Sequence, residues 1–377
     1  MFWAAAQRRI GDFRLLLRLA AWIGFLAALP SQSSELKPDE RVVLYPALAS
    51  RTAAGWELDL HGIVFEPERR RLLIAALRKA FDIDEQRLTS AEVAIFNERC
   101  RYFLVDNERG KKFTTRLGGQ PLAFGTSAAN GHFFSRYVWL TNRWTSLLAP
   151  TNGVSTTTIS FPGAKSRVAP LEIHFLEEQG MSVISDVDDT IKISHVLDKP
   201  ALLENTFCRT FKPVEGMAGV YRGWERTCGA QFHYVTASPW QLYVPLSDFT
   251  RSNGFPAGTW HMKEFRVKDR SVFELFASPE RYKLGVIEPL LRKFPKRQFV
   301  LVGDSGEKDP EIYGALARKH PDQIQRIFIR DVTGESAELP RYQWAFAQLP
   351  RDLWQVFKDP VQISNSLPAS VPIPKAK

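Results

Sequence analysis

Cysteine is scarce in this 377-residue chain: there are three, Cys100, Cys208 and Cys228. An odd number leaves at least one thiol free or paired between chains, and no Cys-x-x-Cys or Cys/His spacing suggests zinc. Cys208 and Cys228 could form a bridge in an oxidising compartment, or all three could be buried free thiols. Long apolar runs are missing too. Leu19–Leu29 is too short for an ordinary spanning helix. No Lys/Arg-rich run and no nucleic-acid motif occurs, so nucleic acid is not the expected partner. No internal repeat divides the chain.

What is present is the composition of a folded protein, 44% apolar with ample aromatics, and length enough for two or three domains. A net charge of +9 suits an anionic partner, whether lipid surface or phosphorylated substrate, as well as plain solubility. Arg8, Arg9, Arg14 and Arg18 precede the apolar run, and Pro30, Ser31, Ser33 and Ser34 follow it. This is the pattern of a secretory signal. Residues 1–34 are therefore expected to be a signal peptide or an uncleaved anchor, making the protein exported (periplasmic or membrane-associated). An Arg-rich transit peptide is the competing reading.

Residues 35–175 read as a β-rich accessory domain. Arg41–Tyr45 and Trp56–Phe65 alternate apolar and polar residues as half-buried strands do. Further strands are expected near Cys100–Val105, Lys112–Arg116, Gly131–Leu140, Thr156–Ser160 and Leu171–Phe175, with turns at Gly118-Gly119 and Asn130-Gly131. Arg69–Phe81 reads instead as an amphipathic helix with Leu72, Leu73, Ala76, Leu77 and Ala80 on one face. His61, His132 and His174 look isolated and structural.

The stretch Val183-Ile-Ser-Asp-Val-Asp-Asp-Thr190 organises the rest. Apolar residues end a buried strand, and three carboxylates follow at once. Charges that close are costly to bury without a cation, and oxygen-only ligands favour a hard one such as Mg²⁺. Asp186 could attack phosphorus as a carboxylate nucleophile, with Asp188 as general acid and then base. A Ca²⁺ loop of EF-hand type is excluded, because Ile191 and Leu197 stand where Gly and Glu are needed. A plain helix-capping turn remains the bland alternative.

Three later stretches decide against it. Phe232–Ser238 (FHYVTAS) is a strand ending in hydroxyls, Lys283 opens a helical pattern, and Phe299–Asp309 (FVLVGDSGEKD) ends a strand in acids. Together with the Val183–Thr190 stretch, and in that order, they resemble the four signatures of the haloacid dehalogenase superfamily. SDVDDTIK, TASPWQLY and GDSGEKDPEIY resemble more closely the catalytic domain of actin-patch-type phosphatidate phosphatases and their bacterial relatives. The resemblance implies an α/β fold with a HAD-like, Rossmannoid, mostly parallel sheet and cap inserts, over residues 176–335. It implies Mg²⁺-dependent hydrolysis of a phosphomonoester through an aspartyl-phosphate, most readily phosphatidate to diacylglycerol at a membrane surface. The alternatives are a soluble phosphomonoester, or a non-catalytic lipid- or protein-binding module on the same fold.

In open α/β sheets ligands bind beyond the carboxyl ends of strands, where Asp186, Thr236 and Asp304 are expected. Asp186, the carbonyl of Asp188, Asp304 and Asp309 would hold Mg²⁺, and Lys283 would balance charge in the transition state. Thr236, Ser238 and Thr190 of the first loop would contact phosphate. Asp189 receives no role. The inserts at 191–231 and 239–282 are rich in aromatics that would suit a lipid-facing rim if exposed, or an ordinary core if buried. Residues 336–377 are expected to be a short helical end, at Tyr342–Phe346 and Asp352–Phe357, followed from Asp359 by a disordered tail.

Overall fold

The structure, a computed structural model, describes residues 34–53, 55–67, 71–117, 120–139, 151–162, 167–265 and 279–367. The segment expected to be an N-terminal signal (but for Ser34), the turn expected at Gly118-Gly119 and the residues beyond 367 lie outside the described residues. No described helix is long and apolar enough to cross a membrane.

The upstream half opens with β1 (Arg41–Leu44), β2 (Ala47–Thr52) and β3 (Gly55–Glu66), then α1 (Arg71–Ala80) and α2 (Ser90–Cys100). Next come β4 (Asp106–Asn107), β5 (Thr114–Leu117), β6 (Gln120–Ala123), β7 (His132–Trp139), β8 (Val154–Phe161) and β9 (Arg167–Leu176). Seven strands form one sheet, in the order β1-β3-β2-β9-β8, with β4 and β7 also on β3; β5 and β6 pair separately. Its pairings are antiparallel except β2 with β9.

Two expectations fail here. No strand forms at Cys100–Val105, because Thr89 and Glu92 make a reciprocal capping box that starts a helix running through Cys100. The buried face of α1 is Leu77, with Ile74 beside it and Phe81 just beyond, whereas Leu73 is 42% exposed.

The second half begins with β10 (Met181–Ser185), α3 (Lys199–Phe207), α4 (Met217–Cys228), β11 (Gln231–Pro239), α5 (Tyr243–Ser252) and β12 (Gly258–Lys263). It continues with α6 (Pro279–Lys293), β13 (Gln298–Asp304), α7 (Asp309–Lys319), β14 (Ile324–Arg330), α8 (Pro340–Ala345) and β15 (Trp354–Phe357). The six strands lie in the order β12-β11-β10-β13-β14-β15, every neighbouring pair parallel. Their apolar runs, such as Phe299–Val302, are buried on both faces, as a helix-covered parallel sheet requires. Asp198 caps α3 through Ala201, and Gly229, at φ 62°, stops α4. β10 is central. The chain leaves it for β11 and β12, then returns to its other side for β13, so the winding reverses at β10, the position at whose carboxyl end ligands bind in open α/β sheets.

The sheet extends further than expected. Trp354–Phe357 is its sixth strand and not a helical end, and Ile363 beyond Asp359 is fully buried. The inserts are crossover helices. Phe207, Tyr221, Trp224, Trp240, Phe249, Phe255, Trp260 and Phe265 are buried, with Phe211 and Tyr243 partly so, and none of them forms an exposed apolar rim. Residues 266–278 lie outside the described chain. All three cysteines are buried and free, so Cys208 and Cys228 do not pair.

The halves share their cores. Phe81 stacks on Phe207 with ring centroids 4.4 Å apart, and Phe96, Cys100 and Phe103 join Trp224 and Phe232 in one cluster. Leu48 and Leu176 of the upstream sheet pack with Ile287 and Leu291 of α6.

Candidate active site

Four buried groups meet where β10 and β13 end. Lys283 Nζ lies 2.8 Å from Asp186 Oδ1, 2.6 Å from Asp309 Oδ1 and 2.8 Å from Glu307 Oε2. Asp186 follows β10 and donates its backbone N–H to Val302 of β13. Asp304 closes β13, and its Oδ1 accepts from the backbone N–H groups of Gly306 and Glu307. Asp309 begins α7, and its Oδ2 accepts from the Asp304 N–H. Gly303 permits that approach: a Cβ there would stand 2.2 Å from Asp309 Oδ2. Lys283 is one turn inside α6 and 1% exposed, so it is no solvated helix-end lysine.

Asp186, Asp304 and Asp309 each offer an oxygen within 4.8 Å of the others, and all three are buried. Asp186 Oδ2 and Asp304 Oδ2 have no hydrogen-bond partner. Four carboxylates with Glu307 face one ammonium. Burial raises the Asp186, Asp304 and Asp309 carboxyls above their ordinary range, and their mutual repulsion adds to it against the pull of Lys283. Burial alone would lower Lys283; the charges of Asp186, Asp309 and Glu307 outweigh it and hold its ammonium well above the ordinary value. Hard oxygen donors, a negative excess and unpaired oxygens fit a divalent cation such as Mg²⁺.

Asp188 stands apart from that cluster. Its Oδ1 meets Lys192 Nζ at 2.8 Å and accepts from Ser194 Oγ at 2.7 Å. Its Oδ2 accepts from Thr236 Oγ1 at 3.1 Å and Ser238 Oγ at 3.2 Å. Only its backbone carbonyl remains for a cation. Burial tends to raise this carboxyl, and Lys192 with the hydroxyl donors outweighs it, leaving it below the ordinary value. Thr190 is fully buried with Oγ1 unpartnered. Asp189, left without a role, staples the loop: at φ 54° it accepts from the N–H groups of Ser194, His195 and Val196.

Sequence reasoning missed Lys192 and Glu307. Both sit inside quoted motifs, yet a lysine or glutamate between signature positions carries no signal until its partner is known. The three histidines of the upstream half are not isolated either: His61 Nε2 lies 2.9 Å from His132 Nδ1, and His174 bonds Glu172.

Residues 181–331, the stretch that carries the acidic cluster, Lys283 and Asp188, match the family described as "Phosphatidate phosphatase APP1, catalytic domain". The likeness to that family lies in this domain. "Phosphatidate phosphatase APP1" of Saccharomyces cerevisiae is 29% identical over 196 residues, 51% of this chain and 33% of that protein. An uncharacterized protein of Schizosaccharomyces pombe is 33% identical over 168 residues, 44% of this chain and 27% of that one. The chain thus spans about a third or less of these family relatives' length. A sialyltransferase structure from Photobacterium damsela covers 52% of this chain and 34% of its own at 11% identity, with a TM-score of 0.22, too low to carry an argument.

Proposed function

We propose that this protein is a Mg²⁺-dependent phosphatase working through an aspartyl-phosphate. The observation that carries the reading is the buried set of Asp186, Asp304 and Asp309 around Lys283, at the carboxyl ends of two adjacent parallel strands. A bound divalent ion would supply charge neutralisation for the phosphoryl group, held by Asp186, Asp304, Asp309 and the Asp188 carbonyl. Asp186 forms a bond to phosphorus as the ester P–O bond breaks, and Asp188 gives its proton to the leaving oxygen. Water then attacks the aspartyl-phosphate, Asp188 takes its proton, and inorganic phosphate leaves. Lys283 stays charged throughout and stabilises the equatorial oxygens. Thr236 and Ser238 are poised to turn from Asp188 to phosphate, and loss of two donors would raise the proton affinity of that carboxyl as substrate enters.

The substrate we infer is a phosphatidate-like lipid at a membrane surface. It is supported by the name of the yeast relative, a phosphatidate phosphatase, and by the positive excess of the chain. The buried aromatics lend it nothing. Export rests on the N-terminal pattern and is checked by sequencing the mature terminus, which should begin near Ser31–Ser34.

Phosphate release from phosphatidate in mixed micelles should require Mg²⁺, stop with EDTA, and fall ~10³-fold or more in Asp186→Asn. Activity indifferent to Asp186 would remove the nucleophile assignment. Faster turnover of glycerol phosphate than of short-chain phosphatidate would remove the lipid.

A further inference from the structure

The upstream helix α2 reaches the Asp188 carboxylate through a stack of three side chains. Arg99, near its end, is 7% exposed and donates to the carbonyls of Thr206 and Arg209, both at 2.8 Å, where α3 finishes. Its guanidinium lies 3.7 Å from the centroid of the Phe211 ring, and Lys192 Nζ lies 4.9 Å from the same centroid. Lys192 is 1% exposed and pairs with Asp188 Oδ1 and with Ser194 Oγ, itself a donor to Asp188. The backbone fastens the arrangement: Ile193 N–H donates to Lys212, and Val214 N–H to Ile191. A buried lysine could satisfy its charge against any carboxylate of the site. This one is held on Asp188, outside the acidic cluster, beside a ring that Arg99 of the other half covers.

We propose that Lys192, Phe211 and Arg99 are positioning residues for proton transfer by Asp188, so that the upstream half contributes to the chemistry and not only to the shared core. The inference rests on the phosphatase reading and gives Asp188 the role of acid. Proton donation matters most when the leaving oxygen is a poor leaving group; p-nitrophenolate needs little help, an alkoxide needs much. Because kcat/KM covers only the steps through ester cleavage, its ratio between the two esters isolates the acid from the later attack by water.

The test compares kcat/KM for p-nitrophenyl phosphate and for short-chain phosphatidate in Mg²⁺, for wild type, Lys192→Met, Phe211→Leu, Arg99→Met and Arg99→Lys. Circular dichroism and thermal melts confirm the fold of each. Expected are losses of ~10²-fold on the lipid ester and under ~10-fold on the nitrophenyl ester for Lys192→Met. Arg99→Met and Phe211→Leu should lose ~10-fold and ~2-fold respectively on the same pair, and Arg99→Lys should recover most of it. If Lys192→Met does not fold, the other two variants decide. Equal losses on both esters, or none, in folded variants overturn the positioning role while the phosphatase reading stands. A folded wild type inactive on both esters overturns that reading and this inference with it.

Discussion

At the scale of single residues, the site depends on close approaches that only certain side chains allow. Gly303 is the sharpest case, since Asp309 occupies the space a methyl would need. Gly303→Ala should displace Asp309 from Lys283 and Asp304, costing about 1–3 kcal/mol in stability. A drop of several degrees in melting temperature with at least ~10-fold lower kcat is the expected outcome; an unchanged kcat would mean Asp309 is dispensable. Asp186, Asp304 and Asp309 carry a local signal, a polar residue where an apolar strand ends or a spacing of five within an acidic run, whereas Lys283 came into view only through the order of the four signatures. Lys192, Glu307 and Asp189 were not legible beforehand. Their meaning lies in partners contributed by the fold, such as Phe211 for Lys192 and the Ser194–Val196 amides for Asp189.

At the scale of elements, strand register creates groupings that spacing hides. β3 and β7 pair antiparallel with Ile63 opposite His132 and His61 opposite Phe134, which brings the two imidazoles together. Burial pushes His132 down from an ordinary 6.5 to about 4. The unfolded chain therefore takes up this proton between those values while the folded one does not. The stability of the neutral state is complete above 6.5 and is lost as pH falls toward 4, by about 2 kcal/mol at pH 5. Urea unfolding at pH 7.5 and pH 5 should show a loss that His132→Asn reduces by that amount; equal losses in the two proteins would show that other groups carry the acid sensitivity. Elements with strict alternation or long apolar runs were foreseen, β3 and β13 among them. α2 and β15 were not, the first because its capping box outranks a short apolar stretch, the second because Trp354–Phe357 becomes a strand only by pairing with β14.

At the scale of the molecule, the boundary drawn at 175 separates signatures but not cores. Phe81, Phe96, Cys100 and Phe103 bury against Phe207, Trp224 and Phe265, and Lys293 of α6 pairs with Glu57 and Asp59 of β3. A fragment of residues 176–367 should therefore lack a fixed core, whereas 35–367 should fold. Near-UV circular dichroism and dye binding distinguish the two; a cooperative melt from the shorter fragment would show that the shared cluster is dispensable. The sequence pattern could place the two halves in order along the chain. It could not show that they interlock, because apolar residues of α1 and α2 look the same whether they cover their own sheet or their neighbour.

That shared cluster also sets a timetable for the nascent chain. Synthesis delivers Phe81 and Phe96 well before Phe207, Trp224 and Phe265, and at ~5–20 residues per second the wait is on the order of ten seconds. During it the two helices leave the ribosome with an apolar face whose cover has not yet been made, an open binding site for a chaperone.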